Sequence, residues 1–103
     1  MTLEDIRGMV VAVDPTAGHY ESAHRDGDAY TVWAETRSDS TYADDAHLGG
    51  LYFQIDRFTK VEEDGIAAAL RAALTASDVC FRYIVDYEPD TGYIHHIFDC
   101  SAY

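Results

Sequence analysis

The sequence predicts an α+β fold, an antiparallel sheet of four to five strands with two helices packed on one of its faces. Several short runs alternate aromatic or β-branched residues with polar ones, which is typical of strands with one buried face. Two other stretches repeat apolar residues every three or four positions, the period of an amphipathic helix. Taken along the chain, these patterns predict the order α-β-β-β-α-β-β in a single domain that spans residues 1–103.

The clearest strand pair is C-terminal, where two aromatic and β-branched runs flank Pro89-Asp90-Thr91-Gly92. Proline presets φ and glycine accepts a positive φ, so these residues predict a tight turn. With Glu88 and Tyr93 as the last pair, the apolar rows of both strands coincide, whereas a slip of one residue would bring Asp99 to the apolar side. The predicted pairs are Tyr87–Ile94, Val85–His96, Tyr83–Phe98 and Phe81–Cys100.

Two amphipathic helices are predicted. The first covers residues 2–13, with Thr2 as its cap and acidic residues in its first turn. The second covers about residues 64–76, and its apolar stripe consists of Ile66, Leu70 and Leu74. We expect the second helix to pack on the apolar side of the sheet, which is made of Phe53, Ile55, Phe81, Tyr83 and Phe98.

The other strands are less regular. Residues 17–24 form a weak strand candidate, and the turn-forming residues 25–28 predict a hairpin back into residues 30–35. Residues 51–58 alternate clearly and predict a strand. Residues 37–50 have no period and are rich in Ser, Asp and Gly, so we expect a long loop, which is a candidate binding segment.

Charge and cysteines narrow the classes of function. Nineteen acidic residues against seven Lys and Arg give a formal charge of −12, which disfavours a grip on nucleic acid. In the predicted hairpin Cys100 points away from Cys80, so both are expected to be free thiols of a protein made in a reducing cytoplasm. The apolar run 9–13 is too short to span a membrane, and a soluble chain is expected.

Catalytic and metal-binding patterns are weak. His95 and His96 are adjacent in a strand, so their side chains point to opposite faces and cannot readily hold one ion. The acidic pair Asp44-Asp45 and the run Glu62-Glu63-Asp64 have no nucleophile or phosphate-binding loop beside them. The sequence therefore predicts no enzyme activity, no metal and no cofactor, with His96 as a hydrogen-bonded residue at the edge of the core.

Several segments, in their order along the chain, carry a resemblance to a known family. They are Tyr30-Thr31-Val32-Trp33, the loop with Tyr42-Ala43-Asp44-Asp45, the strand from Tyr52 to Lys60 with its Phe53-Gln54-Ile55-Asp56 and Phe58-Thr59-Lys60 motifs, the helix led by Glu62-Glu63-Asp64, and the hairpin from Phe81-Arg82-Tyr83 to Asp86-Tyr87-Glu88 with Thr91-Gly92-Tyr93-Ile94-His95-His96. In this combination the chain resembles the small tail-terminator proteins of long-tailed bacteriophages and prophages, also called tail-completion or minor capsid proteins. The resemblance spans nearly the whole chain.

The resemblance implies a structural virion protein. Such a protein forms a homo-hexameric ring on the last ring of the tail tube, stops tube growth and joins the capsid connector or stopper protein. Its partners would be copies of itself, the tail tube protein and the connector, with DNA passing through the lumen without specific binding. It would be assembled in the host cytoplasm and lie at the head–tail junction of the virion, with no membrane contact.

Six residues are candidates for the ring or tube interface, four in the expected loop and two on the strand after it. They are Tyr42, Asp44, Asp45, His47, Asp56 and Arg57. The sequence leaves two other functions open: a head–tail connector or stopper ring, and an acidic immunity or anti-defence inhibitor that mimics nucleic acid.

Overall fold

The computed structural model describes residues 1–43 and 46–102, and for residues 39–43 and 46–49 it describes the backbone alone. The elements are α1 (Leu3–Val13), β1 (Gly18–His19), β2 (Ala29–Ala43), β3 (Ala46–Thr59), α2 (Gly65–Ala76), β4 (Cys80–Glu88) and β5 (Tyr93–Ala102). The five strands form one sheet in the order β1-β2-β3-β5-β4. This confirms the predicted α+β class and the order α-β-β-β-α-β-β. The sheet is mixed, because β1 runs parallel to β2 while the other neighbours are antiparallel.

The C-terminal hairpin has the predicted register. β4 and β5 pair from Glu88–Tyr93 to Cys80–Ser101 without a shift. In the turn, Gly92 has φ of +79° and its N–H donates to the Glu88 carbonyl at 2.8 Å. The turn residues and the coincident apolar rows therefore specify the same pairing, as expected.

Both helices begin at side-chain caps. Thr2 and Asp5 form a reciprocal capping box at the start of α1, with the Asp5 N–H donating to Thr2 Oγ1 at 3.2 Å. Asp64 caps α2 by accepting the Ala67 N–H at 3.0 Å. Each helix turns its apolar stripe to the same face of the sheet, which we call the helix face.

The core lies between the helix face and the two helices. Ile6 and Val10 of α1 meet Leu70 and Leu74 of α2, and none of these four side chains is more than 1% exposed. The sheet contributes Trp33, Phe53, Ile55, Phe98 and Cys100. The expected core residues Ile66, Phe81 and Tyr83 pack at its border. The core is thus larger than predicted, since it includes the first helix and Trp33.

The two cysteines are free thiols, as predicted. Cys80 is exposed on β4, whereas Cys100 is buried in the core. Burial raises the pKa of the Cys100 thiol to about 12, so this side chain stays protonated and serves as a small apolar residue.

The predicted first hairpin is wrong. Instead of a returning pair, β1 is two residues long and runs parallel to β2, with Gly18 opposite Val32. The chain turns sharply after it: a Cβ on Gly18 would lie 1.9 Å from the Glu21 carbonyl oxygen, and Tyr20 has φ of 69°. Only Gly18 and His19 of residues 17–24 pair with the edge of β2. Because the rest of this segment is not a strand with one buried face, its sequence does not alternate apolar and polar residues.

The long loop expected over residues 37–50 is also wrong for its described residues. Residues 37–43 and 46–50 continue β2 and β3, which pair to Ala43–Ala46, while Asp44 and Asp45 lie outside the described residues. β5 pairs with β3 only as far as Leu51–Ala102. Residues 38–43 and 46–50 therefore form a two-stranded extension, which we call the arm, and the molecule measures 51 × 23 × 22 Å.

The position of the arm explains why its sequence shows no alternation of apolar and polar residues. Strand alternation arises where one face of a sheet covers a core, and the arm extends beyond the part of the sheet that the helices cover. At the base of the arm, the register of β2 shifts between Glu35 and Arg37, so Thr36 is an extra residue. A bulge of this kind bends a strand and increases its twist locally, here at the base of the arm.

The core analysis gives a stability prediction. Leu70 is 1% exposed and touches the core from the middle of α2. We expect Leu70→Ala to lower the free energy of unfolding by about 2–5 kcal/mol, because it removes buried apolar contacts and leaves a cavity. Thr75→Ala, at an exposed position of the same helix, is the control and should change it by less than about 0.5 kcal/mol. Urea denaturation checks both, and a similar small loss in the two variants would contradict the described core.

Candidate functional site

The structure describes four of the six predicted interface residues and separates these four into three places. Tyr42 and His47 are opposite each other in the backbone register of the arm. Asp56 and Arg57 are neighbours on β3, so they point to opposite faces of the sheet. Asp56 lies on the face without helices, which we call the open face, and Arg57 lies under the helices. The remaining two predictions, Asp44 and Asp45, lie outside the described residues.

Arg57 is a structural residue of the helix face. Its side chain is buried, and its guanidinium reaches carboxylates at the ends of both helices. Nε donates to Asp64 Oδ2 at 2.8 Å, and Nη2 to Asp64 Oδ1 at 3.3 Å. Nη1 donates to Asp14 Oδ2 at 3.5 Å and to Thr31 Oγ1 at 3.2 Å. One side chain therefore fastens the end of α1 and the start of α2 to the middle of the sheet, and we call this group the Arg57 clamp.

The carboxylates of the Arg57 clamp are stabilised in their charged form. Burial acts to raise the pKa of Asp64, but hydrogen bonds from Arg57 and the Ala67 N–H outweigh it, and the net pKa is lowered. Burial likewise opposes ionisation of Asp14, whose pKa is nevertheless lowered by hydrogen bonds from Thr31 and Thr16 and by the charge of Arg57. The folded state is therefore favoured when both groups are ionised.

His96 borders the Arg57 clamp and is hydrogen-bonded at the edge of the core, as predicted. Its Nδ1 lies 2.7 Å from the Tyr83 hydroxyl, and the two rings are nearly parallel. Its buried Nε2 has no hydrogen-bond partner among the described residues. Burial lowers the pKa of His96, and the nearby Arg57 charge acts in the same direction against the opposing effect of Asp64. This histidine is thus held neutral beside a guanidinium.

The open face carries a cluster of aromatic rings, which we call the aromatic cluster. Phe58 is at its centre and stacks on Tyr30 at 4.6 Å and on His95 at 4.0 Å between ring centroids. Tyr93 meets Phe58 edge-on at 5.9 Å, and Lys60 lies 4.9 Å above the Tyr93 ring. All four rings are only partly buried in this chain. Large, partly exposed aromatic side chains of this kind commonly anchor protein interfaces.

Asp56 forms the polar border of the aromatic cluster. His95 Nε2 donates to Asp56 Oδ1 at 2.7 Å, and Gln54 Nε2 donates to the same carboxylate at 2.9 Å. These contacts hold the Asp56 carboxylate in one position on the open face. It lies between two apolar residues on the neighbouring strands, Val32 of β2 and Ile97 of β5. A fixed carboxylate next to stacked rings is a surface that suits a partner with a matching cation and apolar groups.

A second polar group fastens β1 to the sheet. His19 stacks on Trp33 at 3.9 Å, and its Nε2 donates to Glu35 at 2.6 Å. The Tyr20 hydroxyl donates to the other oxygen of Glu35. The hydrogen bonds from Tyr20 and His19 lower the pKa of Glu35 to about 2. This group explains how a strand of two residues keeps its place.

Neither the aromatic cluster nor the Arg57 clamp was identified by sequence reasoning. For the cluster a signal was present, because Gln54, Asp56 and Phe58 are the residues that alternate with buried ones on β3. They define the other face of the strand. For the Arg57 clamp, the signal was weaker. Arg57 lies two residues from Ile55 and Thr59, which point to the core, and acidic residues stand at the two helix ends, Asp14 and Asp64.

Comparison with known proteins adds a finding about the fold. No protein-family model and no curated protein sequence matches the chain. Its fold is similar to that of a chain in a solved virion structure. The solved structure is described as "Virion of native gene transfer agent (GTA) particle", and the match covers 90% of this chain and 81% of that chain with a TM-score of 0.57. The sequence identity is 14%, so the likeness concerns the fold.

Two further observations concern membranes and metals. Across residues 1–43 and 46–102, no helix is long and apolar enough to cross a membrane. Within the same described residues, no three His, Cys, Asp or Glu side chains converge as metal ligands do. The features that the described chain does offer are surfaces: the open face, the arm and the edges of the sheet.

The Arg57 clamp predicts a pH-dependent effect of mutation. Arg57→Met would leave two buried carboxylates without their cation, and we expect a loss of about 3–5 kcal/mol in the free energy of unfolding near pH 7. Because the folded-state pKa values of Asp14 and Asp64 are lowered, their contribution is present above the unfolded values near 3.8 and is lost as the pH falls through the folded values.

The difference between wild type and Arg57→Met should therefore shrink as the pH is lowered below about 4. Denaturant unfolding of both proteins between pH 7 and pH 3 measures this. Arg7→Met, at an exposed arginine of α1, is the control and should show a small and constant difference. A difference for Arg57→Met that stays the same at pH 3 would contradict the ionised clamp.

Proposed function

We propose that this chain is a structural protein of a phage-like virion, and more specifically a tail terminator that forms a ring on the last ring of the tail tube. The observation that carries the proposal is the fold, which matches a chain of a gene transfer agent virion over nine-tenths of this chain. The order of sequence motifs noted above favours a tail terminator within that class. Copies of the chain, the tube protein and the capsid connector would be its partners.

A closed ring requires two different surfaces on each subunit, one to give a contact and one to receive it. The arm and the open face meet this requirement, because they lie in different parts of the molecule. The arm continues β2 and β3 past the last β3–β5 pair, so it extends beyond the helix-covered body. The open face offers the aromatic cluster with Asp56 beside it. We propose that the arm reaches the open face or the edge of a neighbouring subunit.

The acidic charge agrees with a position around a DNA channel. Each copy has a formal charge of −12, and a ring multiplies this charge around one axis. Phosphate groups are repelled by such a ring, so DNA can pass without binding to its wall. Charge alone also agrees with a connector ring, and the choice between terminator and connector depends on the deletion experiment below.

Deleting the gene from its phage or prophage tests the terminator function. We expect filled capsids beside tail tubes of uncontrolled length, because tube subunits keep adding when the ring that caps them is absent. Electron micrographs of the lysate measure tail lengths directly. Tails of wild-type length beside capsids that have lost their DNA would refute termination and favour the connector function.

Point variants test the surfaces within the same assay. Tyr42→Ala in the arm and Asp56→Lys on the open face should reproduce the tail-length defect more weakly, because a loss of about 1 kcal/mol at each contact is repeated around the ring. Asp56→Asn keeps an oxygen acceptor for His95 and should be milder than Asp56→Lys. Glu63→Lys makes the same charge change as Asp56→Lys at an exposed site beside α2, outside both surfaces, and should leave tail lengths normal.

A further inference from the structure

The outer edge of the sheet at β4 is an unusual surface for a free subunit. β4 is the last strand of the sheet, and nothing among the described residues pairs with its outer side. Three large apolar side chains of this strand are exposed: Ile84 at 41%, Val85 at 51% and Tyr87 at 60%. An edge strand presents unpaired N–H and C=O groups to solvent, so exposed apolar residues along it favour the addition of another strand.

β4 lacks several of the features that usually protect such an edge. It pairs with β5 over nine residues without a bulge, and its sequence contains no lysine and no proline before Pro89. Bulges, prolines and lysines are the common means by which edge strands avoid pairing with other chains. The outer side of β4 is therefore available as a template for a further strand.

The sequence of β4 is complementary to itself when read in the opposite direction. If two copies pair antiparallel with Ile84 opposite Ile84, then Arg82 of each copy lies opposite Asp86 of the other. Both charged side chains are exposed, and both lie on the open face. The same register places Tyr87 opposite Phe81 and Val85 opposite Tyr83 on the helix face. Charges of opposite sign and apolar groups thus meet on the two faces at once.

We propose that two copies of this chain join through their β4 strands in this antiparallel register, which makes one continuous sheet across a two-fold axis at Ile84. An isologous contact of this kind closes with two subunits. It goes beyond the proposed ring and does not depend on it. Because β5 separates β4 from β3, the arm remains free in the pair.

Charge variants test the register by analytical ultracentrifugation over a range of concentrations. The wild-type chain should dimerise. Arg82→Asp places carboxylates opposite carboxylates, and Asp86→Arg places guanidinium groups opposite guanidinium groups, so each should raise the dimer dissociation constant about tenfold or more. The two variants change the net charge in opposite directions. Weaker dimerisation in both variants therefore cannot come from overall repulsion between the two chains. An equimolar mixture of the two variants should dimerise again, since Asp then lies opposite Arg at both places.

The matched control is Glu88→Arg, which makes the same charge change as Asp86→Arg but lies opposite Cys80 in the proposed register. It should change the dissociation constant less than about threefold. A chain that stays monomeric at about 1 mM, a mixture that fails to dimerise, or an oligomer insensitive to both single variants would overturn the proposal. A hexameric ring unaffected by these variants would also overturn the β4–β4 pairing, but it would leave the proposed function intact.

Discussion

One buried arginine connects the layers of this protein. Arg57 lies near the C-terminal end of β3, the central strand of the sheet, and bonds Asp64, which caps α2, and Asp14, which ends α1. The Asp64 carboxylate also accepts the Ala67 N–H at the start of α2, and the Asp14 carboxylate also accepts the Thr16 N–H just after α1, so the charges that neutralise Arg57 also bond the backbone near both helix ends. The apolar core determines the distance between the sheet and the helices. The Arg57 clamp determines where along the sheet α1 ends and α2 begins. Replacing Arg57 would leave two buried carboxylates without their cation.

The alternation of side chains along β3 then divides the molecule into a helix-covered side and an open side. Arg57, Phe53 and Ile55 of β3 point to the helices, and the residues between them point away. The open face therefore carries Asp56 with His95 and the stacked rings around Phe58, and helices do not cover it in the described chain. Together with the arm and the edge at β4, it gives the subunit three separate places at which other chains can be held.

The parts of the fold that the sequence predicted are those in which local and core patterns agree. The β4–β5 register followed from Pro89, Gly92 and two coincident apolar rows, and the second helix followed from its stripe around Leu70. The sequence of the arm predicts a loop, because a ribbon outside the core has no buried face to impose alternation. The two-residue strand at Gly18 depends on contacts from Glu35 and Trp33, which are distant in sequence. The pairing of Arg57 with two acids, 43 and 7 residues away, is likewise a property of the folded chain.

We propose that the chain is an assembly subunit of a phage-like particle, located where the tail meets the head. A reconstruction by electron cryomicroscopy of the particle encoded with this chain tests this location most directly. We expect a ring of copies at the upper end of the tail tube, with the arm and the open face in contact with neighbouring chains. Particles that lack the chain, or a ring in which both surfaces face solvent, would contradict it.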